Sequence, residues 1–350
     1  MKDYTQKIVC IGIDVHKKTY AVTAICDNEV IKKDTLEAYP EQLIKYITKY
    51  FKGAKVNTAY EAGFSGFHLH RQLMSNGINN IVVHAASIQV SARDRVKTDK
   101  RDSLKIAKQL ANGELKGIKV PEVRREQFRV LTRTRNQLIK ARKRIGNQLK
   151  SLLFTQGLID PQDEMKVCKT WLEKIKKLKM AEEVKYSIEM FTKLWSDLDA
   201  KQKEILKKLQ EQAKHDPIDV IYRSVPGIGA LSARVLANEL EDMRYFKSEK
   251  ALFSYTGLTP SEHSSGEYKR LGSISRQGRS LLRGILVQVA WRSIKFDQRL
   301  FEVFEQISKR AGKKRAIVAI ARKIIGCIRS CFKTGTVWSS NALEQKVFNY

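Results

Sequence analysis

The period of the hydrophobic pattern changes once along this chain, and that change limits the possible folds more than any other feature. Up to about residue 110 short strand-like runs alternate with helix-like ones, whereas beyond about Glu122 only helical spacing remains. The runs Ile8 to Asp14, Thr19 to Cys26 and Val30 to Thr35 read as strands, with Asp27 and Asn28 supplying a turn, so the three form an antiparallel meander. After Pro40 comes an amphipathic helix with Leu43, Ile44, Ile47 and Phe51 inward, ended by Gly53. A strand from Lys55 to Glu61, a helix near Phe67 to Met74 and a strand from Asn80 to His84 follow. Helical crossovers pair such later strands in parallel.

The order βββαβαβα predicts a mixed sheet flanked by helices over residues 1–115. The ribonuclease-H-like (RuvC-like) arrangement fits it, as do other α/β layouts. Residues 120–215 read as a long helical, coiled-coil segment. Leu131, Leu138, Ile145 and Leu152 recur every seven residues, and Phe191, Leu198 and Ile205, with Leu194 and Leu209, do so again after the break from Gly157 to Asp163. An antiparallel hairpin satisfies both stripes. Arg135 and Arg142 interrupt the first, which leaves that seam open to another chain, to nucleic acid or to solvent. Residues 216–350 form a helical domain that contains Pro226-Gly227-Ile228-Gly229 and then a helix-period run through Leu236 and Leu240.

Charge narrows the partners. The 350 residues carry 66 basic and 37 acidic side chains, a formal net charge of +29, which implies attraction to a polyanion, DNA or RNA before an anionic membrane. At 42% hydrophobic residues the chain buries a sizeable core, so global disorder is excluded. It contains no run of about 18 apolar residues and no secretory signal, which predicts a cytoplasmic protein without a membrane partner. Cys10, Cys26, Cys168, Cys327 and Cys331 lack paired C-x-x-C spacing, which disfavours disulfides and zinc.

Four acids stand apart from this basic background. Asp14 ends the first strand and Glu61 the fourth, and these strands are neighbours in a ribonuclease-H-like sheet. Asp99 and Asp102 lie at i and i+3 on one helix face. Phosphodiester chemistry needs divalent ions, often two about 3.5 to 4 Å apart, and hard oxygen ligands suit Mg²⁺ or Mn²⁺. The competing reading of Asp99 and Asp102 is salt bridging to Lys97, Lys100 or Arg101. Gly227 and Gly229 suit either a helix-hairpin-helix turn, whose backbone N–H groups meet a phosphate, or a tight interhelical turn. Arg276, Arg279 and Arg283, then Lys313, Lys314 and Arg315, supply basic side chains for a nucleic-acid backbone. The polar loop His263-Ser264-Ser265-Gly266 is a loop former or, given an activating group, a source of a nucleophile. No G-x-x-x-x-G-K-[ST] occurs, so ATP use is unsupported.

Taken together, IGID around Asp14, YEAGFSGFHLHRQL around Glu61, KTDKRDSLKIAKQLA around Asp99 and Asp102, and then SVPGIGALSARVLANEL, ALFSYTGLTP, SSG and GSISRQGRSLLR resemble the DEDD transposases of bacterial insertion sequences, whose relatives include pilin-gene invertases. The resemblance implies a RuvC-like domain ahead of a serine-bearing transposase domain. It implies that Asp14, Glu61, Asp99 and Asp102 hold Mg²⁺, and that Ser265, directly before Gly266, attacks a DNA phosphate and holds it as a phosphoserine ester. It further implies a dimer or tetramer, and a structured guide RNA from the element that bridges donor and target DNA. Ser103 departs from the alanine common after the last acid, and Phe64 from a frequent Pro or Thr. Two rival functions remain: a structure-selective, metal-dependent endonuclease that resolves junctions with water, and a non-enzymatic nucleic-acid-binding protein.

Overall fold

A five-stranded sheet organises the first 121 residues, which form one of two compact units; the second runs from Glu122 to Tyr350. The structure is a computed structural model, and it describes residues 3–89, 98–160, 162, 166–262, 268, 270–275 and 277–338. In the first unit β1 (Ile8–Val15), β2 (Thr19–Cys26) and β3 (Glu29–Glu37) make the antiparallel meander. β3 extends past both ends of Val30 to Thr35, because its backbone ladder with β2 continues where its side chains are too polar to read as strand.

After helix α1 (Pro40–Tyr50), strand β4 (Lys55–Glu61) pairs in parallel with β1. After helix α2 (His68–Ser75), β5 (Asn79–Val83) pairs in parallel with β4. The strand order is therefore β3-β2-β1-β4-β5. One sheet face buries Val9, Ile11 and Ile13 against Leu43 and Ile47 of α1 and Leu69 and Leu73 of α2.

Helix α3 (Asp99–Ala111) covers the opposite face, and Gly12 is the reason it can lie so low. A Cβ at Gly12 would stand 2.2 Å from the Ser103 carbonyl oxygen and 2.3 Å from the Ala107 nitrogen, so backbone meets backbone here. Ser103 is buried, and its Oγ lies 2.9 Å from Thr23 Oγ1 on the neighbouring strand. The hydroxyl that sets position 103 apart from the usual alanine thus has its own partner across the helix–sheet contact.

The second unit begins with an antiparallel hairpin of two 33-residue helices, α4 (Val123–Thr155) and α6 (Glu182–Lys214), with the short α5 (Lys169–Ile175) between them. Its seam is built on Ile145, Leu149 and Leu153 facing Ile188 and Trp195, while Leu194 lies exposed. Phe191 and Leu198 pack half-buried against the same seam, alternating with the buried Ile188 and Trp195. Arg142 finds its place inside the hairpin: it pairs with Asp199 and lies over the Trp195 ring at 5.0 Å.

The rest of the unit is a bundle: α7 (Ile218–Ser224), α8 (Ala230–Leu240), α9 (Glu249–Thr256), a two-stranded ribbon of β6 (Pro260–Glu262) and β7 (Leu271–Ile274), then α10 (Ser280–Phe296), α11 (Gln298–Ala311) and α12 (Lys313–Thr334). Its core joins Leu236, Leu252, Leu286 and Ile324. Cys327 and Cys331 are buried in α12, as small apolar residues would be. Among the described residues no helix is long and apolar enough to cross a membrane.

Candidate active site

Strand register brings two carboxylates together. Ile13 of β1 lies beside Tyr60 of the parallel β4, so the next residues, Asp14 and Glu61, emerge at the same end of adjacent strands. Alternation puts Asp14 on the face of Gly12, the face that α3 covers. The low seat of α3 then delivers its first turn, with Asp99 and Asp102, to that end of the sheet.

The electrostatics report the proximity. Burial pushes the Asp14 carboxyl above its ordinary value, His16 pulls it back, and Asp99, Asp102 and Glu61 each push it further up. The Asp14 side chain is 19% exposed, whereas that of Asp99 is 55% exposed, so the cluster opens from the sheet edge into solvent. Asp102 pairs with Lys105 one helical turn on, at 3.2 Å. Asp99 and Asp102 also sit at the positive end of the α3 dipole, which steadies negative charge there.

His16 completes the group. Its Nδ1 lies 3.6 Å from Asp14 Oδ2 and its Nε2 3.5 Å from Asp99 Oδ1. One donor atom from each of Asp14, His16 and Asp99 falls within 4.8 Å of the others, the span of a shared cation. The sequence holds the signal as Asp14-x-His16 at a strand end, where two residues apart means the same face.

The second unit carries the remaining candidates. Ser265, its loop and Arg276 lie outside the described residues. Arg279 caps α10 with its Nε 3.7 Å from the buried Glu239, which also takes two hydrogen bonds from Arg133, each 2.9 Å. Arg283 donates to the Gly278 carbonyl, holding the start of α10 against Gly257. Gly227, at φ +88°, packs so tightly on α10 that a Cβ would stand 2.7 Å from the Ser293 nitrogen, while Gly229 at the N-cap of α8 faces open space. Lys313, Lys314 and Arg315 are exposed in the first turn of α12, where no acid accompanies them. Three cations at the positive end of a helix repel its dipole, and an anionic partner relieves that repulsion.

Two family models match, in order along the chain. One is described as "Transposase" and covers residues 11–155, which include all four acids; the other is described as "Transposase IS116/IS110/IS902 family" and covers residues 221–305. The first is the model of the DEDD transposases of the IS110 type. The chain belongs to the DEDD transposases of insertion sequences.

Its relatives agree. The chain is 29% identical over 301 residues to a "Putative transposase y4qE" of Sinorhizobium fredii, covering 83% of this chain and 72% of the relative. It is 25% identical over 337 residues to the transposase for insertion sequence element IS1533 of Leptospira borgpetersenii, covering 90% and 93%. A pilin gene-inverting protein of Moraxella bovis is 34% identical over 110 residues, 30% of this chain and 34% of that one. The transposase is thus an enzyme of DNA transposition or recombination, and its acids lie within the region that the family model matches. Strand order anticipated that Asp14 and Glu61 end adjacent parallel strands; it did not point to His16 or to the arginine network around Glu239.

Proposed function

We propose that this transposase cuts and rejoins the DNA of its element with Asp14, Glu61, Asp99 and Asp102 as ligands of divalent ions and Ser265 as the nucleophile. The observation that carries this reading is the setting of Asp14: burial raises its carboxyl, His16 lowers it, and Asp99, Asp102 and Glu61 each raise it further, a charge grouping that a cation would relieve. The donors fit the ion, since carboxylate oxygens suit Mg²⁺ or Mn²⁺. The sheet order, with an antiparallel meander followed by two parallel strands, supports a ribonuclease-H-like scaffold for them.

The chemistry divides between residues. When bound, the ions supply charge neutralisation at the scissile phosphate. Ser265 Oγ attacks phosphorus and loses its proton, the bond from phosphorus to the leaving-strand oxygen breaks, and that oxygen takes up a proton. The resulting phosphoserine ester keeps the bond energy. A hydroxyl of the new partner strand then attacks it, restoring serine and joining the strands without ATP.

Basic residues of the second unit hold nucleic acid. Lys313, Lys314 and Arg315, together with Arg276, Arg279, Arg283 and the backbone at Gly227 and Gly229, face the DNA backbone. Gly229 and the α12 terminus are the stronger parts of that assignment, since Gly227 is packed against Ser293 and Arg283 is tied to Gly278. A guide RNA lies along the outer face of α4, where Lys140, Lys143 and Arg144 stand with Asn147, Gln148 and Ser151. The working form is a dimer or tetramer.

Ser265→Ala tests the reading. It should abolish SDS-stable protein–DNA adducts on DNA carrying the element's ends and leave DNA binding intact; adducts that survive remove the serine from its role. RNA sequenced from the same preparation should be one structured species from the element, and a random RNA population would exclude the guide.

A further inference from the structure

One donor atom each from Asp14, His16 and Asp99 lies within 4.8 Å of the others, so a single His16 nitrogen can join both carboxylates around one ion. The two ring nitrogens stand 3.6 Å from Asp14 Oδ2 and 3.5 Å from Asp99 Oδ1, longer than a charge-assisted hydrogen bond of about 2.7 to 2.9 Å. Two donors held about 2.1 Å from one ion lie roughly 3 to 4 Å apart. The His16 backbone N–H donates to the Thr19 carbonyl at 2.9 Å, closing the turn between β1 and β2 and fixing where the side chain leaves the backbone. The side chain is 47% exposed, so the packing of a hydrophobic core does not account for where it lies.

We propose that His16 is a nitrogen ligand in the acid cluster and gives the site a preference for Mn²⁺ over Mg²⁺. The inference rests on the reading of the acids as ion ligands. Imidazole suits first-row transition metals, whereas Mg²⁺ favours all-oxygen shells, so one nitrogen among carboxylates shifts selectivity toward Mn²⁺. Asp14 and His16 approach from one strand end and Asp99 from the first turn of α3, which lets the ion tie the helix to the sheet.

The test uses full-length protein freed of any histidine tag, loaded with Mn²⁺ alone, and compares wild type, His16→Gln and Asp14→Asn. Pulsed electron paramagnetic resonance of wild type should show ¹⁴N modulation from a directly bound imidazole. His16→Gln should lose that modulation and bind Mn²⁺ about 10-fold more weakly or worse. Its affinity for Mg²⁺, read by competition, should fall less. Bound Mn²⁺ without nitrogen coupling in wild type overturns the inference, as does coupling that persists in His16→Gln. Loss of binding in Asp14→Asn alongside either result leaves the acid site standing and removes only His16. Mn²⁺ binding by Asp14→Asn equal to that of wild type, or none by wild type, overturns the ion site itself and His16 with it.

Discussion

Asp14 and Asp216 are the same residue type in opposite surroundings. Asp14, in the first unit, is raised by burial and by Asp99, Asp102 and Glu61, with only His16 opposing. Asp216, in the second unit, is also pushed up by burial, yet hydrogen bonds from Arg125 and Arg234 outweigh this and hold its carboxyl below its ordinary value. The same contrast extends outward: Glu239 is held by Arg133, Glu241 by Arg129 and Asp199 by Arg142 and Lys203. These buried acids of the second unit have arginine partners, whereas burial of Asp14 is opposed by His16.

The largest effect should come from Asp14→Asn, which sharpens the comparison. Strand cleavage should fall by about 10³-fold or more, about 4 kcal/mol of barrier. Folding stability at neutral pH should hold or rise, because a carboxyl whose pKa is raised on folding is destabilising once ionised. Cleavage kinetics beside urea melts check both, and a marked loss of stability would break the contrast.

Asp216→Asn should do the reverse. It leaves Arg125 and Arg234 facing each other without their anion, a loss of about 3 to 5 kcal/mol in urea melts. The pH dependence carries the sign: a carboxyl lowered on folding stabilises above its unfolded value of 3.8, and that contribution disappears as pH falls through the lower folded value. The gap between wild type and variant should therefore close in melts taken below about pH 3.8. A gap that stays constant with pH would mean that Asp216 acts through shape and not charge.

Gly12→Ala probes how α3 carries its acids to the sheet. The added methyl meets the α3 backbone, so the helix must lift, costing about 1 to 3 kcal/mol and moving Asp99 and Asp102 from Asp14. Cleavage should drop more steeply than stability, and equal losses would argue against a positioning role. Ser103→Ala should be the mildest, about 1 kcal/mol, since it strips Thr23 Oγ1 of one partner at the same contact.

How much was legible follows from the same physics. The first unit announced itself because its strands alternate with helices at short, regular spacing, and β1, β2, β4 and β5 fall within a residue or two of their expected ends. The acids at strand ends followed from that order. The polar ends of β3 were hidden because an edge strand is held by its backbone ladder. Of the α6 residues expected inward, Phe191 and Leu198 join the seam and Leu209 is buried, while Leu194 lies exposed. Arg142 looked like an open seam because its partner, Asp199, lies 57 residues away. His16 was legible in principle, two residues from Asp14, but a single histidine gains meaning only once Asp99 is known to stand across from it.

The most direct test of the contrast is an ion titration of covalent adduct formation on element-end DNA, run from chelated protein upward in Mn²⁺, for wild type and Asp14→Asn side by side. The account predicts adducts that rise with the ion and saturate in wild type, and none at any concentration in the variant. Equal adduct yields in the two proteins, or full yield in the presence of chelator, would contradict it.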